Sequence, residues 1–120
     1  MDLGLKGRYA IVCASSQGLG RACALELARA GCIVVLNGRD VEKLKTAAAE
    51  IRTETDADIR TVPGDVSDPV VQAALLAAVP QVDILVNNNG GPPFRDFRQV
   101  DRSAMLDGVT QNMVTPIELV

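Results

Sequence analysis

Residues 8–30 constrain this chain more than any other stretch. Tyr9-Ala10-Ile11-Val12-Cys13 is an apolar run with the length and composition of a strand buried on both faces. Small and polar residues follow, then Gly18-Leu19-Gly20, then an Ala/Leu-rich helical segment over 18–30 closed by Gly31 as its C-cap. A strand, a tight turn and a helix start make a receptor for phosphate. Unpaired N–H groups and roughly half a positive charge gather at that end of a helix. Gly18 lets the backbone approach an anion without a Cβ, and Gly20 lets the helix lie close to the sheet. Two glycines at such a turn also fit a tight turn and nothing more, so the rest of the chain decides.

Its 120 residues suffice for one domain with a modest core. The core must be aliphatic, since Tyr9, Phe94 and Phe97 are the only aromatic residues. A net charge of -3 and a pI near 4.8 argue against nucleic acid, which asks for a basic face. No apolar run approaches the ~20 residues of a membrane span. Residues 1–6 carry no signal-peptide core, so a cytoplasmic setting is expected. Cys13, Cys23 and Cys32 read as buried free thiols. The chain has no histidine, so neither a metal site nor a Ser-His-Asp or Cys-His centre is expected.

The pattern alternates strand and helix throughout, which implies a parallel sheet with helices on its faces. In helix 18–30, Leu19, Cys23 and Leu27 form a stripe at i, i+4, i+8, with Ala22, Ala24 and Ala28 keeping the helix slim. Strand 33–37 follows, and Asp40 caps helix 41–54, whose apolar face is Val41, Leu44, Ala48 and Ile51. Strand 58–63 is polar enough for a sheet edge. Asp68-Pro69 starts helix 69–79, which Pro80 stops; strand 82–87 comes next. Gly90, Gly91, Pro92 and Pro93 punctuate a loop, and residues 102–119 resume a helical pattern that Pro116 kinks or tightens.

At this point the chain resembles the short-chain dehydrogenase/reductase family along its whole length. The family's Thr-Gly-x-x-x-Gly-x-Gly falls on Cys13–Gly20, with Gly18 and Gly20 in place, Cys13 for the threonine and Ala14 for the first glycine. Asp65-Val66 matches the acidic position after strand three that accepts from the adenine amino group. Asn87-Asn88-Asn89-Gly90 is similar to Asn-Asn-Ala-Gly, with Asn89 for alanine, beside the ribose and nicotinamide. Asn112 falls where the family has the catalytic asparagine that holds a water in its proton relay. The resemblance implies a Rossmann-type doubly wound α/β fold of strand order 3-2-1-4, a carbonyl or alcohol substrate of 3-oxoacyl-reductase type, and a homo-oligomer, dimer or tetramer.

Ser15, Ser16 and Gln17 can place hydroxyl and amide donors on phosphate oxygens beside the leading N–H groups around Leu19 and Gly20. At the end of strand two an acid selects NAD through the ribose 2′-OH, whereas an arginine accommodates the 2′-phosphate of NADP. Gly38 stands at the acid's place and Arg39 follows it, so NADP(H) is expected over NAD(H). The family's serine and Tyr-x-x-x-Lys pair are not among these residues. The expectation is therefore the N-terminal, cofactor-binding portion of a longer domain. The alternatives are a non-catalytic nucleotide-binding or sensor module and, less well matched, an S-adenosylmethionine methyltransferase, whose acid at the end of strand two is lacking.

Overall fold

The computed structural model describes residues 2–89 and 95–120. Four strands, β1 (Tyr9–Val12), β2 (Ile33–Gly38), β3 (Ile59–Pro63) and β4 (Ile84–Val86), form one sheet in the order β3-β2-β1-β4. Every pairing is parallel, with Ile11 opposite both Val35 and Leu85, and Asn37 opposite Val62. The expected strand order is the observed one. The helices between them are α1 (Gly18–Arg29), α2 (Val41–Thr55) and α3 (Pro69–Ala77).

Strand side chains alternate between faces, and the alternation divides the core in two. Ala10, Val12, Val34 and Leu36 pack under α1 and α2 with Ala24, Ala28, Leu44 and Ile51. Ile11, Cys13 and Val35 point the other way, to Val71 and Leu75 of α3. β1 and β2 lie in the middle, which explains their nearly unbroken apolar sequences. β3 is outermost on one side, as its polar character suggested.

The stripe expected on α1 is not its buried one. Gly20, Ala24 and Ala28 face the sheet, while Leu19 is 81% exposed and Cys23 is exposed too. The helix lies so close to the strands that its row of smallest side chains must form the contact; Leu25 and Leu27 pack from the flanks. Two of the three thiols, Cys13 and Cys32, are buried. On α2 the buried set is Leu44, Ala47, Ala48 and Ile51, with Val41 left exposed.

Helix ends follow their chemistry. Asp40 accepts from the N–H groups of Glu42 and Lys43, and Asp68 from that of Val70, with Pro69 in the first turn. The C-cap of α1 is Ala30, one residue before the expected Gly31. Gly31 N–H then donates to Ala28 C=O and Cys32 N–H to Leu27 C=O, which closes the helix. Residues 102–119 are not one α-helix. They divide into α4 (Arg102–Val109), a π-turn (Thr110–Val114) and α5 (Thr115–Leu119). Proline at 116 has no N–H to return to the carbonyl of Asn112, so the regular ladder cannot run through this point.

Candidate functional site

All four strands point their C-terminal ends the same way, and a cleft of about 410 Å³ opens there. Its first wall is the turn after β1. Ala14 adopts φ +47° and Gly18 φ +62°, left-handed conformations that are uncommon for a residue with a Cβ. Gln17 is the N-cap of α1 and makes no side-chain capping bond, and no acid occupies the first turn. The leading N–H groups of α1 thus lack a side-chain acceptor, unlike those capped by Asp40, Asp68 and Asp101. A Cβ on Gly20 would lie 2.3 Å from the Ala14 carbonyl oxygen and 2.9 Å from Asn88 Nδ2, so only glycine permits this approach. Ser16, Gln17, Gly18 and Leu19 line the cleft.

Ser15 does not reach it. That residue is fully buried, its hydroxyl donating to Val12 C=O (2.8 Å) and accepting from Asn37 N–H (3.0 Å). The phosphate contact expected of Ser15 is closed off by these bonds.

Gly38 and Arg39 form the second wall. A Cβ at position 38 would press on Ser16, 3.0 Å from both its Cβ and Oγ. Arg39 is exposed and its guanidinium makes no hydrogen bond or ion pair with the described residues. The third wall holds Asp65 and Val66. Asp65 Oδ1 accepts from the N–H (2.9 Å) and the hydroxyl (2.8 Å) of Ser67. Those two bonds hold its carboxyl below the usual carboxylate range, burial opposing them and the charge of Arg39 assisting. Oδ2 has no partner among the described residues and remains available to an external donor.

Asn88 and Asn89 close the cleft after β4. Asn88 Nδ2 donates to the Ala14 carbonyl (3.2 Å), and its backbone N–H opposes the rise that burial gives the Cys13 thiol. Asn89 Nδ2 donates to Gln111 C=O (3.4 Å), which ties the cleft to the segment carrying Asn112. Gly90 and the loop after it lie outside the described residues. Asn112 sits in the π-turn, exposed, its Nδ2 donating to Gly108 C=O (2.9 Å), and does not line the cleft. Gly20 is likewise behind the cleft rather than in its wall.

The cleft also contains Asn37, Asp40, Lys43 and Gly64, which sequence reasoning passed over. Lys43 was findable: it stands four residues after Arg39, in the first turn of α2, and its ammonium is likewise unpaired among the described residues. Asn37 was findable as the one polar side chain ending an aliphatic strand. The lining offers two cations, a helix start and a free carboxylate oxygen. It suits an extended anionic ligand.

This constellation on a parallel sheet is matched by known proteins. Residues 8–120 match the family described as short chain dehydrogenase. The chain belongs to that family. An uncharacterized oxidoreductase, YvaG, of Bacillus subtilis is 38% identical over 91 residues, which is 75% of this chain and 34% of that protein. A very-long-chain 3-oxoacyl-CoA reductase of Aspergillus clavatus is 41% identical over 93 residues, covering 74% of this chain and 27% of the relative. Among solved structures, L-sorbose reductase from Gluconobacter frateurii, complexed with NADPH and L-sorbose, superposes with a TM-score of 0.92 at 28% identity. The match covers 99% of this chain and 47% of that one. The chain therefore spans less than half the length of each of these short-chain dehydrogenase relatives.

Proposed function

We propose that residues 1–120 form the N-terminal, dinucleotide-binding portion of an NADP(H)-preferring short-chain oxidoreductase of the cytoplasm. Its substrate is a small carbonyl or alcohol compound, 3-oxoacyl compounds being one class that fits. The observation carrying the preference is Arg39, a cation with no hydrogen bond or ion pair among the described residues, at the end of β2 beside a residue without a side chain. Lys43 adds a second unpaired cation on the same wall. A bound NADPH in the sorbose reductase neighbour supports the same reading.

The residues here would hold the cofactor as follows. The pyrophosphate lies against the N-terminus of α1, with Ser16 and Gln17 as additional donors. The 2′-phosphate meets Arg39 and Lys43, and Asp65 Oδ2 accepts from the adenine amino group. Ala14, Val66 and Asn88 would give the adenosine its walls, and Asn89 would border the nicotinamide ribose. When bound, the nicotinamide supplies or takes the hydride of the carbonyl/alcohol interconversion. Asn112 would hold a water for the proton path, and the helical segment that carries it would help complete a homo-oligomer.

Calorimetric titration of the full-length protein with NADPH and NADH tests the preference. A charge-assisted pair contributes about 1.5–3 kcal/mol, so NADPH should bind about tenfold more tightly or better. Equal affinities would overturn it.

A further inference from the structure

Asn37 has no part in the binding scheme above, yet its side chain is the most heavily committed near the cleft. It is 2% exposed. Oδ1 accepts from the N–H of Ala14 (3.1 Å), while Nδ2 donates to the carbonyls of Val62 and Gly64 (3.1 Å each). Its backbone also meets Ser15, whose N–H donates to Asn37 C=O at 2.7 Å. One amide therefore joins the turn after β1 to the turn after β3, across the C-terminal edge of the sheet. Asp and Glu lack the donors, Ser and Thr lack the reach, and no apolar residue has either function.

The residue held at the far end explains why such a clasp is needed. Ala14 occupies φ +47° with a methyl group that resists this conformation. Its peptide is gripped on both sides, at N–H by Asn37 Oδ1 and at C=O by Asn88 Nδ2 (3.2 Å). Gly20 packs against that carbonyl with no room to spare. If Ala14 relaxed to an ordinary φ, its carbonyl would swing and the start of α1 would move with it. The two carbonyls that Nδ2 takes belong to Val62, near the end of β3, and to Gly64, which immediately precedes Asp65, so the same amide also fixes the opposite wall.

We infer that Asn37 is a positioning residue: it holds Ala14 in the left-handed conformation that shapes the phosphate turn, and it sets that turn's distance from Asp65. The inference rests on the reading of the cleft as a dinucleotide site. It assigns to a buried residue the work that a glycine at position 14 would do by its own conformational freedom.

The test is a double-mutant cycle in the full-length protein, with Asn37→Leu and Ala14→Gly measured for NADPH affinity and for thermal midpoint. Asn37→Leu should weaken NADPH at least tenfold. The gain in affinity from Ala14→Gly should be at least threefold larger in the Asn37→Leu background than in the parent, and its rise in thermal midpoint larger as well. A residue that merely fills the core would show no such coupling, and equal gains in both backgrounds overturn the clasp. Should Asn37→Leu fail to fold, hydrogen exchange in the parent decides: the Ala14 amide should exchange far more slowly than that of Gln17, and comparable rates overturn the inference. A parent that binds no NADPH but shows the coupling in its thermal midpoints and a protected Ala14 amide overturns only the dinucleotide reading. The geometric clasp would then stand without its proposed purpose.

Discussion

The role proposed for Arg39 rests on what its neighbours lack. Gly38 offers no acid to the ribose hydroxyls, and Ser16 crowds the space a side chain there would need, so the carboxylate on which the cation bears is that of Asp65, on the facing wall. Arg39→Asp removes that cation and supplies a ribose acceptor, and the order of affinities should reverse in favour of NADH. The change in the ratio should be about tenfold or more in paired calorimetric titrations, the worth of one charge-assisted bond. An unchanged ratio would place the 2′-phosphate elsewhere. Asp65 makes a second prediction, in pH. Its carboxyl is held below the ordinary value, about 3.9, first by the two bonds from Ser67 and then by Arg39. A lowered acid stabilises the fold above its ordinary value and loses that contribution as pH falls through the lowered one. Asp65→Asn keeps the shape and removes the charge. Urea unfolding should therefore show a gap between parent and variant that is constant from about pH 8 to about 5 and closes below about 4. A gap that persists at lower pH would mean that shape, not charge, sets the contribution.

At the scale of elements, the strands and helices were legible because each signal was strong and local: aliphatic runs, Asp caps, a proline after Asp68; their order in the sheet came from the family resemblance. Of the residues expected to bind a cofactor, the cleft gathers Ala14, Ser16, Gln17, Gly18, Leu19, Gly38, Arg39, Asp65, Val66, Asn88 and Asn89 at one edge of the sheet. What the sequence concealed depends on distance between elements. Hydrophobicity pointed to Leu19-Cys23-Leu27 as the stripe of α1, whereas the buried one is Gly20-Ala24-Ala28. Hydrophobicity is the wrong guide where backbones nearly touch, since a close crossing admits only small side chains. Ser15 was misjudged for a related reason, its hydroxyl being spent on β1 and β2 before any ligand arrives. The π-turn before Pro116 was foreshadowed only as a kink, because a missing N–H says where a ladder fails and not how it reopens. The two stripes can be told apart. Gly20→Ala should cost about 1–3 kcal/mol, the range for overpacking, because its Cβ would meet a backbone oxygen at 2.3 Å. Leu19→Ala, at an 81% exposed site, should change stability by less than about 0.5 kcal/mol. Denaturant melts showing the reverse ranking would restore the leucine stripe.

For the whole molecule, the two halves of the sheet are unequally covered. β3 is short and partly polar at one edge, whereas β4 at the other edge is Ile84-Leu85-Val86, half-buried, with no strand on its outer side among the described residues. Along α4, the π-turn and α5, a second apolar surface is exposed: Met105, Val109 and Met113 at 45–55%, and Ile117 at 68%. A free strand edge recruits other chains through its open backbone groups. An apolar helical row of this size marks a surface that is covered in use. Both features lie at the β4 end of the molecule, so one association could cover them together. The 120-residue species should therefore self-associate at tens of micromolar, in the concentration range of ordinary light-scattering measurements. The helical row and the strand edge make separable contributions. Met113→Lys with Ile117→Lys adds charge to the row and should lower the average mass sharply while the sheet stays folded, as judged by circular dichroism. If the substituted protein remains as large as the parent, the β4 edge is the main seat of association. A parent that is monomeric, with a single cooperative thermal transition, would show instead that the sheet tolerates its open edge and that the helical row needs no partner.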